Sequence, residues 1–435
     1  MGRASRASGR RRRPDPRGAA PRLRRREAGS PWHRHAGVRP PRTGHVPDRR
    51  IAVPDAPQVR RYLDNAATTW PKPDDVITAW LHAARDIGAT AGRASYADAL
   101  AADAIRDDAR RAAARMLGGV DPRRVAFPAG GTLALNIALH GLLQPGDHVI
   151  ATAADHNAVL RPLDALRAAG TIELSIVPCG ALGHVDPAAI AAAWRPTTRL
   201  VTCTHASNVT GAVQDTAAIA GIVHDRGGLF LLDAAQSLGQ VPCTAPGWHA
   251  DAVAAPCHKW LLGVGGPGLL WVREGLEVTP LVRGGTGSSS ESLRMPDAFT
   301  ERMEAGTADV PALGAFVAAI TWIEARSVAV VGDGCRMLAT AAASRLAEVR
   351  GVRVLASAGA PIVSITVEGY EPADVAVVLE QAAGVQVRSG LHCAALVHGH
   401  LGTAGSGTVR ASFGPFNTPA DVDALVTTVE GIVGG

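Results

Sequence analysis

The chain carries 44 basic residues, and only two of them, Lys72 and Lys259, are lysines. Lys259 stands in Pro256-Cys257-His258-Lys259-Trp260, inside an apolar, Gly-rich region. Arginine supplies charge, but it is not deprotonated in a protein and forms no imine. A lysine retained there points to amine chemistry. Asp233 ends the apolar run Leu229-Phe230-Leu231-Leu232, where a carboxylate is costly without a cationic partner. It reads either as the N-cap of a following helix or as the counter-ion of a protonated pyridine nitrogen. A pyridinium ring is an electron sink that stabilises a carbanion beside an imine. Gly130-Gly131-Thr132 precedes an apolar helical run. It is either a plain strand-to-helix turn or a set of backbone N–H groups that cradles a phosphate. Amine, carboxylate and cradle together fit the opposite ends of one aromatic aldehyde, pyridoxal 5'-phosphate. His156 opens a helix, as an ordinary N-terminal histidine or as a ring stacked on that cofactor, and Gln236 is spaced to donate to its phenolic oxygen. Lys72, between Pro71 and Pro73, reads as a solvated charge in an extended segment.

These residues need elements to hold them. From Ala97 onward helical and strand-like runs alternate. Ala97–Leu117 has helical period, and Arg124–Ala129 reads as a strand. Residues 132–143 form a helix, 148–155 a strand and 158–170 a helix. Thr171–Pro178, Arg199–Ser207, Leu229–Ala235 and Asp251–Lys259 are β-rich, with a helix over 215–227. Alternation of this kind predicts an α/β fold with a mostly parallel sheet covered on both faces. Its ligands sit beyond the carboxyl ends of the strands, where Asp233 and Lys259 fall. After Gly306 a helix over Val310–Ile323 leads to a second unit. That unit reads as two strands (Val352–Ser357, Pro361–Gly369), a helix from Pro372, two strands (Val385–Gly390, Thr408–Gly414) and a last helix from Pro419.

Bulk properties exclude several classes. At 435 residues, with 47% apolar and 19% charged residues, the chain has material for two domains. No run of 18 apolar residues lacks a charge or a turn, so no transmembrane helix is expected. Six scattered cysteines without a CxxC pair argue against a metal site and against a disulfide framework, and a reducing cytoplasm fits them. The net charge of +5 is misleading. Residues 1–50 hold sixteen Arg against Asp15, Glu27 and Asp48, which leaves the rest of the chain at −8. This Pro/Gly-rich tail has no hydrophobic period and is expected to be disordered. It reads as a segment without function rather than as a nucleic-acid or membrane tether.

The segments, in this order, resemble the class V aminotransferase fold, and within it the cysteine desulfurase and selenocysteine lyase family. The resemblance runs from Tyr62-Leu63-Asp64-Asn65-Ala66-Ala67-Thr68-Thr69 to Phe416-Asn417-Thr418-Pro419. It passes through Asp155-His156-Asn157, Ser207-Asn208-Val209-Thr210-Gly211, Leu232-Asp233-Ala234-Ala235-Gln236, His258-Lys259-Trp260, Gly284-Gly285-Thr286-Gly287, Arg388-Ser389-Gly390-Leu391-His392-Cys393-Ala394 and Thr408-Val409-Arg410. It implies a pyridoxal-phosphate-dependent type I transferase fold. The large domain, with a mostly parallel seven-stranded sheet, spans 76–305. The smaller C-terminal α/β domain spans 306–435, and an N-terminal arm, 51–75, packs on it. Lys259 then holds the cofactor covalently, Asp233 pairs with the pyridine nitrogen, Gln236 with the phenolic oxygen, and His156 stacks on the ring. Gly131, Thr132 and His258 bind the phosphate, and Thr286 reaches the phosphate of a partner subunit. Asn208, Arg388 and Arg410 take the substrate. Cys393 is the sulfur-accepting nucleophile, with Arg388 and His392 as neighbours that favour its thiolate. The cysteine loop resembles the selenocysteine-lyase-like group.

The resemblance implies conversion of L-cysteine to L-alanine, with the sulfur passed through Cys393 to an acceptor protein, in a homodimer. Selenocysteine and cysteine sulfinate are alternative substrates; aminotransfer and epimerisation are alternative reactions on the same scaffold. An Arg-tail nucleic-acid binder on an inactive scaffold is the non-enzyme alternative. The chain departs from the family pattern at Pro256, where a hydroxyl donor is usual, at Leu133, where glutamate is common, and at Ala395 after the cysteine.

Overall fold

Short apolar runs closed by Gly, Pro or Asp become strands here, and longer runs of helical period become helices. The computed structural model describes residues 59–242 and 244–434. It opens with β1 (Arg61–Tyr62), α1 (Asp74–His82), a π turn (Ala83–Ile87) and α2 (Ala97–Met116). Then come β2 (Val125–Ala126), α3 (Gly130–Leu142), β3 (His148–Thr152), α4 (Asn157–Ala168), β4 (Glu173–Val177), α5 (Pro187–Ala192) and β5 (Thr198–Thr204). They are followed by α6 (Thr216–His224), β6 (Leu229–Asp233), α7 (Ala245–Trp248), β7 (Ala252–Pro256) and β8 (Gly268–Val272). Helices α8 (Phe299–Met303), α9 (Val310–Glu324) and α10 (Val328–Ala347) lead to β9 (Val352–Leu355), β10 (Ile362–Val367), α11 (Pro372–Ala383), β11 (Val385–Gln386) and β12 (Arg388–Gly390). The chain ends with α12 (Ala395–Leu401), β13 (Thr408–Ser412) and α13 (Pro419–Gly434).

Seven strands form one sheet in the order β2-β8-β7-β6-β5-β3-β4. The run from β4 through β3, β5 and β6 to β7 is parallel, while β8 is antiparallel to both β7 and β2. Every residue of β6 and β7 is buried, because helices cover both faces. On one face Leu135 and Leu139 of α3 pack with Val149, Leu200, Leu231 and Leu270. On the other, Phe316 and Ile320 of α9 pack with Ile150, Val201 and Phe230. Asp309 caps α9 by accepting from Ala312 N at 3.1 Å, which fixes where that helix starts.

A second, antiparallel sheet has the order β12-β13-β10-β9. Its core joins Val363, Ile365 and Val409 to Leu346 of α10, Leu379 of α11 and Leu425 of α13. β1 pairs in parallel with β11. The fold is thus the large mixed sheet with a small C-terminal α/β unit. The expected tail, 1–50, and the first part of the arm lie outside the described residues.

Four details depart from the sequence reading. Arg124–Ala129 contributes only two strand residues, and α3 begins at Gly130 rather than at Thr132. Gly268–Val272 forms an antiparallel strand that the sequence reading did not assign. α10, twenty residues long, stands between the predicted helix and the small sheet. Residues 385–390 divide between two sheets, β11 on β1 and β12 on β13.

Candidate active site

Asp233 is the last residue of β6 and Lys259 lies in the turn after β7, so two neighbouring parallel strands deliver both side chains to one edge of the sheet. The start of α3 reaches the same place. Gly131, Thr132, His156, Asn208, Asp233, Gln236, Pro256, His258 and Lys259 line one cavity of about 110 Å³. Asp233 is 2% exposed. Its Oδ1 accepts from Ala235 N at 2.9 Å, the cap-like bond of the plainer reading. Burial pushes its carboxyl pKa up, and Lys259 works against that. Lys259 shows the reverse: burial lowers its pKa to about 8, and Asp233 opposes the fall. Both line the cavity, and among the described residues they form no direct ion pair.

The other lining groups are uncharged. His156 caps α4 by accepting from Ala158 N at Nδ1, 2.9 Å. Burial and then the Lys259 charge hold its pKa at about 4, so the ring is neutral. His258 is held at about 4 for the same leading reason. Gln236 is nearly saturated: its amide donates to Ala66 O at 2.9 Å and accepts from Trp260 Nε1 at 2.7 Å. At the start of α3 no side chain caps the helix; Gly130 N turns back to Pro128 O at 2.8 Å, which leaves the next N–H groups of the first turn to meet an anion. Gly268 explains how close this turn sits to the sheet. A Cβ there would lie 2.3 Å from Gly130 C and 2.4 Å from Gly130 O.

The cysteine loop is fastened to this cavity. Asn157 N donates to Cys393 O at 2.8 Å, and Asn208 Nδ2 donates to His392 O at 2.6 Å. His392 and Cys393 both adopt left-handed backbone, φ 50° and 60°, where non-glycine residues are strained. The result is an exposed thiol with Arg388 Nη2 3.5 Å from its sulfur. Cys393 also lies close enough to act electrostatically on Lys259 and Arg410. The other described cysteines, Cys179, Cys203, Cys257 and Cys335, are buried, and burial pushes their thiol pKa values up.

Some assignments change. His392 is 2% exposed, its Nε2 pairs with Thr408 Oγ1 at 2.9 Å, and burial holds its pKa at about 2. It is neutral and gives the thiolate no positive charge. Arg410, 1% exposed, already donates to Asn208 O at 2.9 Å and to Asp64 Oδ1 at 2.7 Å. The Thr286 assignment, to a partner subunit's phosphate, is not among the changes: Thr286 stands outside the cavity of its own chain, its hydroxyl 3.2 Å from Ser288 O. Lys72 is no solvated charge: its Nζ donates to Thr69 Oγ1 at 2.6 Å and His258 O at 2.7 Å. Asp155, whose charge Asp233 influences, was given no role by the sequence reading. It accepts from Thr152 N at 2.7 Å and from Thr204 N at 2.6 Å, tying β3 to β5.

The cavity fits pyridoxal phosphate. A buried carboxylate with a raised pKa asks for a cation, and a protonated ring nitrogen is one. An amine with a lowered pKa stands ready to react with an aldehyde, and an uncapped helix start takes the phosphate. Among the described residues no group of three or more His, Cys, Asp or Glu is placed to hold a metal.

The profile of the aminotransferase class-V family matches residues 61–425. A probable cysteine desulfurase of Methanothermobacter thermautotrophicus is 33% identical over 384 residues, covering 86% of this chain and 94% of that protein. Cysteine desulfurase CsdA of Escherichia coli is 30% identical over 380 residues, 85% of this chain and 93% of its own length. The apo structure of a cysteine desulfurase from Thermococcus onnurineus superposes with a TM-score of 0.80 at 28% identity, covering 86% of this chain and 95% of the other. With this profile, these relatives and this constellation, the chain belongs to the class V aminotransferase family, in its cysteine desulfurase group.

Proposed function

We propose that this protein is a cysteine desulfurase that uses pyridoxal 5'-phosphate, the cofactor of its family. The observation that carries the reading is the fastening of an exposed thiol, Cys393, to the wall of the cavity that holds Lys259 and Asp233.

Bound there, the cofactor supplies an electron sink for a substrate carbanion. Lys259 anchors it, and with a pKa of about 8 the released amine accepts the substrate Cα proton near neutral pH. Asp233 holds a proton on the ring nitrogen. Neutral His156, in the cavity wall, would face the bound ring without repelling that proton. Arg410 and Asn208 take the substrate carboxylate by exchanging part of their bonds to Asp64, Asn208 O and His392 O, and Arg388 stands beside the thiol. Cys393, as thiolate, attacks the substrate sulfur. The substrate C–S bond breaks and an S–S bond forms, and the substrate carbon takes a proton. L-cysteine and the Cys393 thiol thereby become L-alanine and a Cys393 persulfide, without an external oxidant. The persulfide sulfur then passes to an acceptor protein.

We read the assembly as a homodimer, in which Thr286, outside the cavity of its own chain, would serve the partner's phosphate. The free described cysteines suit a reducing cytoplasm. No single described helix is long and apolar enough to cross a membrane.

The test is release of alanine and sulfide from L-cysteine, with reductant, by wild type and Cys393→Ala. Wild type is expected to release both in equal amounts. The variant is expected to keep its visible cofactor band and lose sulfide release. Undiminished sulfide release by the variant would falsify the role of Cys393.

A further inference from the structure

The two lysines of the chain, far apart in sequence, meet at one peptide bond. The His258 carbonyl belongs to the peptide whose nitrogen is that of Lys259. Lys72 Nζ donates to it at 2.7 Å, and Thr69 N at 3.2 Å and Thr68 Oγ1 at 3.1 Å donate to it as well. Lys72 Nζ also donates to Thr69 Oγ1 at 2.6 Å, and that hydroxyl donates onward to Lys259 O at 2.9 Å. Both carbonyls that bracket the Lys259 backbone are therefore gripped by one short segment, Thr68–Lys72. Thr69 is 1% exposed, so the grip is largely shielded from water.

We propose that Lys72 is a positioning residue for Lys259, acting with Thr69 to fix the backbone from which the reactive amine enters the cavity. The inference rests on the reading of Lys259 as the cofactor-binding amine. Lys72 itself does not line the cavity, so it is no second attachment point. Composition explains why it is a lysine. Arginine fills every other basic position of this chain, yet the two acceptors, at 2.6 and 2.7 Å, converge on a single nitrogen. A compact ammonium meets that geometry, and a planar guanidinium fork does not. Burial lowers the Lys72 pKa to about 7, so an ammonium in this place carries a desolvation cost.

The test uses full-length protein stripped of cofactor. The melting temperature is recorded first, then the rate at which the visible band develops on adding pyridoxal phosphate. Borohydride trapping and peptide mapping confirm attachment at Lys259. Lys72→Met and Thr69→Val are expected to develop the band about tenfold more slowly, because small displacements of a reacting group carry such penalties. Thr69→Ser keeps the hydroxyl and should stay near wild type; Lys72→Arg should not restore the rate. If Lys72→Met fails to fold, Thr69→Val against Thr69→Ser decides. Uptake at the wild-type rate in a folded Lys72→Met or Thr69→Val overturns the proposal. So does a slowing that vanishes wherever the variant is fully folded. A wild-type protein that never develops the band removes the cofactor reading, and the proposal with it.

Discussion

At the scale of single residues, two charges tune one another across the cavity. Burial drives the Lys259 amine toward its neutral form, and the Asp233 carboxylate resists. Only the neutral amine attacks an aldehyde. Cofactor capture by the stripped protein is therefore predicted to speed up as pH rises and to level off above about 8. In Asp233→Asn the charge that raises the lysine pKa is gone, so the midpoint of that profile should move to lower pH. Stopped-flow absorbance across pH 6–10 would read it, in about half-unit steps. A midpoint that stays put would mean that Asp233 does not act on Lys259 through its charge. Cys393 depends on geometry instead. Its sulfur is exposed beside Arg388, while the other described cysteines are sealed in the core.

At the scale of elements, the approach of α3 to β8 decides whether a phosphate can be held. Gly268 lets the strand pass beneath the first turn of the helix. An alanine there would put its Cβ 2.7 Å from Gly131 N as well as against the Gly130 backbone. Backbone cannot swing aside as a flexible side chain can. Gly268→Ala is predicted to destabilise the protein by about 1–3 kcal/mol and to weaken cofactor binding. Denaturant unfolding and cofactor titration would measure the two effects, and an unchanged cofactor affinity would separate the phosphate cradle from this contact. The cysteine loop makes a similar point. Its two left-handed residues persist because Asn157 and Asn208 hold their carbonyls from the large-sheet side.

At the scale of the whole molecule, the segment after β1 ties the two sheets together. Asp64 bonds Arg410 of β13 at 2.7 Å, Arg410 bonds the carbonyl of Asn208 beyond β5, and a few residues on Lys72 grips the turn after β7. The described residues from Val59 onward accordingly belong to one compact unit. Arg410 is almost fully buried, whereas Asp64 keeps some solvent exposure. Asp64→Asn would leave a buried guanidinium without its counter-charge. The predicted loss is about 2 kcal/mol, below the figure for a fully buried pair because Asp64 is partly screened. Chemical denaturation would register it, together with a rise in KM for L-cysteine if Arg410 shifts. A stability equal to wild type would show that the Asn208 carbonyl alone satisfies Arg410.

The sequence by itself determined what is local. An apolar run ending in aspartate made β6 and placed Asp233 at its tip, and alternation of runs made the parallel sheet. The near-absence of lysine singled out Lys259. Tertiary structure alone decided what joins distant segments. Lys72 looked solvated because its partner carbonyl lies in another turn, far along the chain. His392 looked like a cationic neighbour because nothing in its own segment shows that burial strips its charge. β8 went unassigned because Gly and Pro precede it, and only pairing with β7 and β2 makes those residues a strand. Residues 385–390 read as one strand because side-chain alternation does not name the partner. Spacing along a chain fixes direction and period, while desolvation and hydrogen-bond partners exist only once remote segments have excluded water between them.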